Sequence, residues 1–407
     1  MEECITLERA VTLIRRSVSP VDTERIPVTR AHGRILAEPV FAPMDQPPFP
    51  RSPLDGYAFH AADSAGATKA HPIHLKVVET IYAGDWTERV VQRGEAVRLM
   101  TGAPVPAGCD CVIRHENTDN GRERVRVFSE LNPWDNYCER GEDFRLGAEL
   151  LPAGSPLSAV AYGILAAAGL DRADSIVTVY RRPCCALFCT GDELVSGSVR
   201  PLPPGKIYSS NEACLRTRLM ELGVELINTE TTSCADDADQ LVALLQSAAE
   251  QADMILTTGG VSAGDRDILH QTLPALNADR IFKRVRMKPG APMMFSLCQG
   301  IPVLSLSGNP FAAFATFELV GRQLLAVLSG TDTLLPQVFP ARLETPFPKT
   351  STVRRFVRGL FRNGSVCLPD GHSSGQLASA AQANCLVDIP AGSGKAAPGE
   401  TFMVHLL

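Results

Sequence analysis

Cys184-Cys185-Ala186-Leu187-Phe188-Cys189 runs straight into Thr190-Gly191-Asp192-Glu193, and this apolar run ending in a glycine loop decides the reading of the fold. The pattern recurs twice. Met254-Ile255-Leu256 enters Thr257-Thr258-Gly259-Gly260-Val261-Ser262-Ala263-Gly264-Asp265-Arg266-Asp267, and Pro302-Val303-Leu304-Ser305-Leu306 enters Ser307-Gly308-Asn309-Pro310. Short apolar runs of this kind are buried parallel strands, and open α/β sheets bind their ligands beyond the carboxyl ends of such strands. Glycines let the backbone approach an anion, and carboxylates beside them can hold a divalent cation. The three loops therefore predict a pocket for a phosphorylated ligand with Mg²⁺.

Around these loops the alternation is regular. Strands are expected at 184–189, 224–230, 254–258, 281–287 and 302–306, with helices at about 210–222, 237–249, 268–275 and 311–328. Strands alternating with helices of this length form βαβ units, hence a mostly parallel sheet covered on both faces. The flanks read differently. Leu7 to Ser17 has a helical pattern, Arg25 to Phe41 alternates like a ribbon, and Pro43, Pro47, Pro48 and Pro50 mark a boundary. From about Pro53 to Asn132 short strands lie between Gly, Pro and Asn turns, and Pro340 to Leu407 returns to that texture. The expected architecture is a multidomain α/β plus β protein. It has a discontinuous helix and strand linker domain (1–43 with 144–178), a β-rich domain (44–143), a central α/β domain (179–330) and a C-terminal β domain (331–407).

Composition narrows the function classes. With 407 residues, 45% of them hydrophobic and 21% charged, the chain can build several cores. A net charge of −6 without a basic tract argues against nucleic acid or an acidic membrane as partner. Leu157 to Leu170 is shorter than the roughly 18 residues a membrane span needs, and Met1-Glu2-Glu3-Cys4 lacks the order of a secretory signal, so a cytoplasmic protein is expected. The twelve cysteines contain no C-x2-C pair, and Cys184, Cys185 and Cys189 sit in a core strand, which predicts reduced, buried thiols.

The carboxylates carry two readings. Asp236 stands ahead of an apolar helix and alone reads as an N-cap; Asp265 and Asp267 could likewise cap the next helix. Taken with Asp192 and Glu193, however, they crowd one sheet edge, where like charges raise each other's pKa unless a cation neutralises them. Lys288, in Lys288-Pro289-Gly290, adds an ammonium suited to an anion on the same rim.

Seven motifs carry a resemblance that spans nearly the whole chain: Ser52-Pro53-Leu54-Asp55-Gly56-Tyr57-Ala58, Thr101-Gly102-Ala103-Pro104-Val105-Pro106-Ala107-Gly108, Arg140-Gly141-Glu142-Asp143, Thr190-Gly191-Asp192-Glu193, the run from Gly259 to Asp267, Lys288-Pro289-Gly290 and Gly308-Asn309-Pro310. In order and spacing they resemble the molybdopterin molybdenumtransferases, the MoeA proteins and the E domains of gephyrin. The resemblance implies Mg²⁺-dependent cleavage of adenylylated molybdopterin, release of AMP and insertion of molybdate. It also implies an elongated homodimer of four-domain subunits with each site shared between two subunits. A molybdopterin adenylyltransferase and recipient molybdoenzymes would be its partners. By position, Asp55 and Asp143 would reach the site from the partner subunit. Glu193, Asp236 and Asp267 would act from the α/β side and hold the metal. Thr190, Gly191, Asp192, Gly259, Gly260, Ser262, Gly264, Gly308, Asn309 and Pro310 would line the ligand pocket. Lys288, Arg358, Ser373 and Ser374 would cradle molybdate.

The chain departs from the family pattern on the anion side. Ala291 stands for the second lysine of Lys-Pro-Gly-Lys-Pro, Ala312 for the serine of Gly-Asn-Pro-Val-Ser, Ser209 for the aspartate of Tyr-Asp-Ser/Thr-Asn, and Ala380 for a methionine in the C-terminal run. Two other classes are compatible with the sequence: a non-catalytic interaction protein of the same fold, and an enzyme handling tungstate or another nucleotide-linked pterin.

Overall fold

The computed structural model describes residues 1–227, 233–234, 237–261 and 268–407. Its largest sheet has eight strands. From one edge to the other run Glu2–Ile5, Asp279–Val285, Met294–Cys298, Ile301–Leu306, Met254–Thr258, Cys184–Thr190 and Glu225–Leu226, with Ser233–Cys234 also pairing with Cys184–Thr190. The three glycine-ended strands lie side by side and parallel: Cys185 is in register with Met254, and Ile255 with Val303. The chain passes from Cys184–Thr190 outward to Glu225–Leu226 and then back across to Met254–Thr258, so the order reverses between the first two glycine loops. That reversal opens a crevice at the carboxyl ends of these strands.

Apolar side chains fill both faces of the sheet. On one, Leu7, Ala10 and Ile14 of helix Leu7–Ser17 pack with Leu215 and Leu219 of helix Ser210–Glu221 and with Phe311, Phe317 and Leu324. On the other, Leu241 and Leu245 of helix Ala238–Ala249 pack with Leu269 and Leu273 of helix Ile268–Ala275. The segment Pro310–Leu328 is longer than the apolar run at 157–170 and is apolar enough to cross a membrane; it is 83% buried, as a core helix is.

Two features differ from the expected pattern. The sheet is mixed, because Met294–Cys298 forms an unanticipated strand antiparallel to both its neighbours. The first residues, expected to begin the linker domain, instead add Glu2–Ile5 to the edge of the large sheet, with Glu2 opposite Phe282 and Ile5 opposite Val285. Linker-type pairing begins later, with Thr23–Pro27 against Ile176–Tyr180.

The 44–143 region contains a five-stranded sheet ordered Cys111–Arg114, Gly56–Phe59, Glu95–Leu99, Ile73–Ile81, Arg124–Val127. The C-terminal strands close on themselves: Arg354–Arg362, Ser365–Cys367, Val338–Leu343, Thr401–Leu406 and Cys385–Ile389 form a ring, since Cys385–Ile389 also pairs with Arg354–Arg362. Closure removes exposed strand edges. One strand crosses between domains. Met287–Lys288 leaves the α/β unit and pairs in parallel with Arg354 and Arg355 of the C-terminal sheet.

Candidate functional site

The crevice at the strand reversal is a cavity of about 450 Å³. Thr190, Gly191 and Glu193 line it from the first glycine loop, Thr258, Gly259 and Gly260 from the second, and Ser307, Gly308, Asn309 and Pro310 from the third. The second loop fits only as glycine at position 259. Gly259 has φ +91°, and a Cβ there would lie 2.5 Å from the Thr190 carbonyl oxygen and 2.7 Å from Thr190 Oγ1. A Cβ on Gly308 would lie 3.5 Å from Gly259 Cα, so the second and third loops sit back to back. Thr190 is buried, and its Oγ1 donates to the Thr258 carbonyl at 3.4 Å. Pro310 opens helix Pro310–Thr316 at its first turn, where the missing N–H costs nothing.

Several wall residues were not singled out from sequence. Asn211, on the first turn of helix Ser210–Glu221, donates through Nδ2 to the Gly308 carbonyl at 2.8 Å and ties that helix to the third loop. Its Oδ1 is buried and has no partner among the described residues. Tyr208 and Ser210 complete this wall with Ser209, which the sequence reading counted among the anion-side departures and which lines this first cavity, not the second.

A second cavity, of about 280 Å³, adjoins the first and shares Pro292, Ser307 and Asn309 with it. Lys288, Arg355 and Arg358 line it together with His372 and Ser374, and no Asp or Glu among the described residues does. Arg358 is fully buried. Its guanidinium carbon sits 3.5 Å from the centroid of the Phe311 ring, and its terminal nitrogens donate to the Gln376 carbonyl, to Ser379 Oγ at 2.6 Å and to the Ser373 carbonyl at 2.7 Å. Nε has no partner among the described residues. Burial pulls its pKa down to about 10, so it remains a cation near neutral pH. Ser373 thus acts through its carbonyl as a support for Arg358, whereas Ser374 lines the cavity and accepts from the Phe311 N–H at 3.0 Å.

The acidic residues are less gathered than the sequence reading expected. Glu193 lines the first cavity and is exposed; Asp192 is exposed too, is not part of that lining, and accepts at its carbonyl from Lys206 Nζ at 2.5 Å. The helix cap expected at Asp236 is made by Asp237, whose Oδ1 accepts from the Gln240 N–H at 3.0 Å. Asp236, Ser262, Gly264, Asp265 and Asp267 lie outside the described residues. Among the described residues no group of three His, Cys, Asp or Glu could hold a metal ion. That donor set does not by itself fit Mg²⁺, which needs oxygen ligands in near-octahedral order.

Asp55 and Asp143 belong to the β-rich region and line neither cavity. Asp55 Oδ1 accepts from both the N–H and the hydroxyl of Thr101 at 2.7 Å, and these bonds hold its carboxyl below the usual carboxylate range. Asp143 is exposed and is anchored through its N–H to the Gln46 carbonyl at 2.9 Å. Among the described residues no cysteine lines either cavity; in the core strand Cys185 and Cys189 are both 0% exposed, whereas Cys184, at the strand's first position, is only half-buried.

Comparison with known proteins covers the whole chain. Residues 5–169 match the MoeA N-terminal region (domain I and II), residues 186–327 a probable molybdopterin binding domain, and residues 340–407 the MoeA C-terminal region (domain IV). The molybdopterin molybdenumtransferase of Staphylococcus aureus is 33% identical over 406 residues, covering 99% of this chain and 95% of that protein. The enzyme of the same name from Staphylococcus epidermidis is 30% identical, covering 96% and 92%. The crystal structure of the molybdopterin biosynthesis moeA protein from Pyrococcus horikoshii superposes with a TM-score of 0.86 at 28% identity, over 99% of this chain and all of that one. The motifs, the fold and these likenesses agree, and the chain belongs to the molybdopterin molybdenumtransferases, the MoeA family of enzymes in molybdenum cofactor biosynthesis.

Proposed function

We propose that this chain takes adenylylated molybdopterin and molybdate, releases AMP and leaves the metal on the pterin dithiolene. The observation that carries the reading is the meeting of two cavities of opposite character at Ser307, Asn309 and Pro292. A glycine-walled crevice with hydroxyl and amide side chains suits a phosphorylated, hydrogen-bonding ligand. The adjoining cavity, lined by cations and by no carboxylate among the described residues, suits a tetrahedral dianion. A shared wall lets both substrates be held at once, and positioning is what such a reaction asks of the protein.

The chain's own groups supply orientation and charge. Gly259 and Gly308 keep side chains out of the crevice, and Asn211 braces its wall through the Gly308 carbonyl. Lys288 and Arg358, both in the lining of the second cavity, attract the anion. Mg²⁺ belongs to the reading as the ion that neutralises phosphate charge when bound. Glu193 is the described member of the proposed metal set, with Asp236 and Asp267 the other two.

The reading also includes a homodimer, in which Asp55 and Asp143 reach the crevice of the partner subunit. Its support is that within one chain neither lines the cavities. Asp143→Ala and Asp267→Ala should each be inactive and should complement on subunit exchange; exchange without complementation would place the site within one chain. The activity itself is tested by incubating the purified protein with adenylylated molybdopterin, Mg²⁺ and molybdate and assaying reconstitution of an apo-molybdoenzyme. No active cofactor, with substrate shown to be intact, would overturn it.

A further inference from the structure

Strand Arg354–Arg362 carries four arginines, and the fold treats the three nearest the second cavity differently. Arg354 is neutralised: its guanidinium meets the Asp388 carboxylate at 2.8 and 2.6 Å and also pairs with Glu8. Arg358 is fixed by two carbonyls and a hydroxyl and cannot move without breaking them. Arg355 is left with little. Its Nε donates to Ser351 Oγ at 3.4 Å, its guanidinium carbon lies 5.5 Å from the Phe347 ring centroid, and no carboxylate pairs with it among the described residues. It lines the oxyanion cavity opposite Lys288, its register partner.

Ala291 lines the same cavity. The loop that carries it is held by the Val285 N–H donating to the Ala291 carbonyl at 3.0 Å, so the methyl has a fixed place on this wall. A lysine at that position would have supplied a second ammonium beside Lys288. The alanine removes the charge, and Arg355 approaches the same space from the other domain.

We infer that Arg355 is the second anion-binding cation of this site, taking over from the C-terminal domain the charge that position 291 lacks. This rests on the proposed function and names a residue within it. The geometry favours arginine for the task. A planar fork can present two N–H groups to two oxygens of a tetrahedral dianion, whereas an ammonium acts as a point charge. A long, weak tether to Ser351 leaves the fork able to turn toward an incoming anion at little cost. Stacking on Phe347 stabilises the cation in the meantime. Without an anion, Lys288, Arg355 and Arg358 repel one another across the cavity, and a dianion relieves that repulsion.

The test is a double-mutant cycle on the full-length protein, with molybdate alone as the titrant in calorimetry and the same anion titrated in the cofactor-forming reaction. Arg355→Gln should raise the half-saturating molybdate by about ten-fold or more, the loss of one charge-assisted bond. Arg355→Lys should lose less. Ala291→Lys should recover most of the loss in the Arg355→Gln background and gain less in the wild type, because there the charge is already present. Lys288→Gln separates this inference from the reading it rests on. If Lys288→Gln weakens molybdate binding while Arg355→Gln leaves it unchanged, or if Ala291→Lys gains no more in the Arg355→Gln background than in the wild type, the inference is overturned and the oxyanion site stands. If neither single variant changes molybdate binding, the oxyanion site itself is overturned.

Discussion

Lys288 stands in register with Arg355 where Met287–Lys288 pairs in parallel with Arg354–Arg362, and this pairing joins the α/β unit to the C-terminal ring beside the bond from the Phe311 N–H to the Ser374 carbonyl. Neither domain alone builds the cationic cavity. Lys288→Gln shortens the side chain by one atom and removes the charge from an exposed position. Half-saturating molybdate should rise by about ten-fold or more while the melting temperature stays within a degree or two, since surface substitutions cost about 0.5 kcal/mol or less. A binding titration and a thermal melt on the same preparation check both halves.

The glycine loops should be intolerant of a single methyl. Gly259→Ala places Cβ against the Thr190 carbonyl at a positive φ, and Gly290→Ala, at φ +86°, drives it into Thr316 Cγ2. Each should cost about 1–3 kcal/mol of stability from backbone strain alone, with the clash added, as read by urea denaturation. Gly163→Ala, which meets nothing within 4 Å, is the control and should be near neutral or slightly stabilising.

His372 makes stability depend on pH. Burial first, then the Arg358 and Lys349 charges and more weakly Arg355, hold its pKa below the ordinary 6.5, with Asp370 opposing them. The unfolded chain therefore takes up this proton before the folded one does. The associated stability is present above pH 6.5 and is lost as the pH falls through the folded value. Molybdate in the adjoining cavity favours the imidazolium and should reduce the loss. Melting temperatures from pH 7.5 to 5.5 should fall less steeply with molybdate than without, and less steeply in His372→Gln than in wild type. Equal slopes in variant and wild type would remove His372 from the account.

Beneath the site, Glu318 is completely buried and holds Arg218 at 2.7 and 3.1 Å and Arg322 at 2.9 Å. Glu318→Ala would take from Arg322 its carboxylate partner in the core and leave Arg218 with only the more exposed Glu221. A loss of about 3–5 kcal/mol is expected in chemical denaturation, far more than for Glu221→Ala, which removes only the exposed partner of Arg218.

The parts of the fold that sequence reveals are those whose pattern is local. Three apolar runs ending in glycine announced three parallel strands and the loops that form the crevice. Met294–Cys298 escaped because its hairpin to Ile301–Leu306 turns on Gln299-Gly300, both at positive φ, where an Asn-Gly pair would have been the familiar signal. Glu2–Ile5 escaped for a different reason: four residues carry too little periodicity, and the partner strand lies near the far end of the α/β unit. The cationic cavity was half legible. Lys288 and Arg358 came from motif positions, but Arg354, Arg355 and Arg358 look alike in sequence, and only folding decides that Asp388 neutralises the first and leaves the second without a carboxylate among the described residues. Asn211 carries no pattern of its own; its role follows from the Gly308 carbonyl it meets.

The most direct test is the dependence of AMP release on the anion. With adenylylated molybdopterin and Mg²⁺ in single turnover, the wild type should release AMP in proportion to molybdate occupancy of the cationic cavity, and Lys288→Gln and Arg355→Gln should each shift that curve to higher molybdate without lowering its plateau more than a few-fold. AMP released at the same rate with no molybdate, or curves that superimpose for all three proteins, would contradict the claim that the two adjoining cavities hold the two substrates of one reaction.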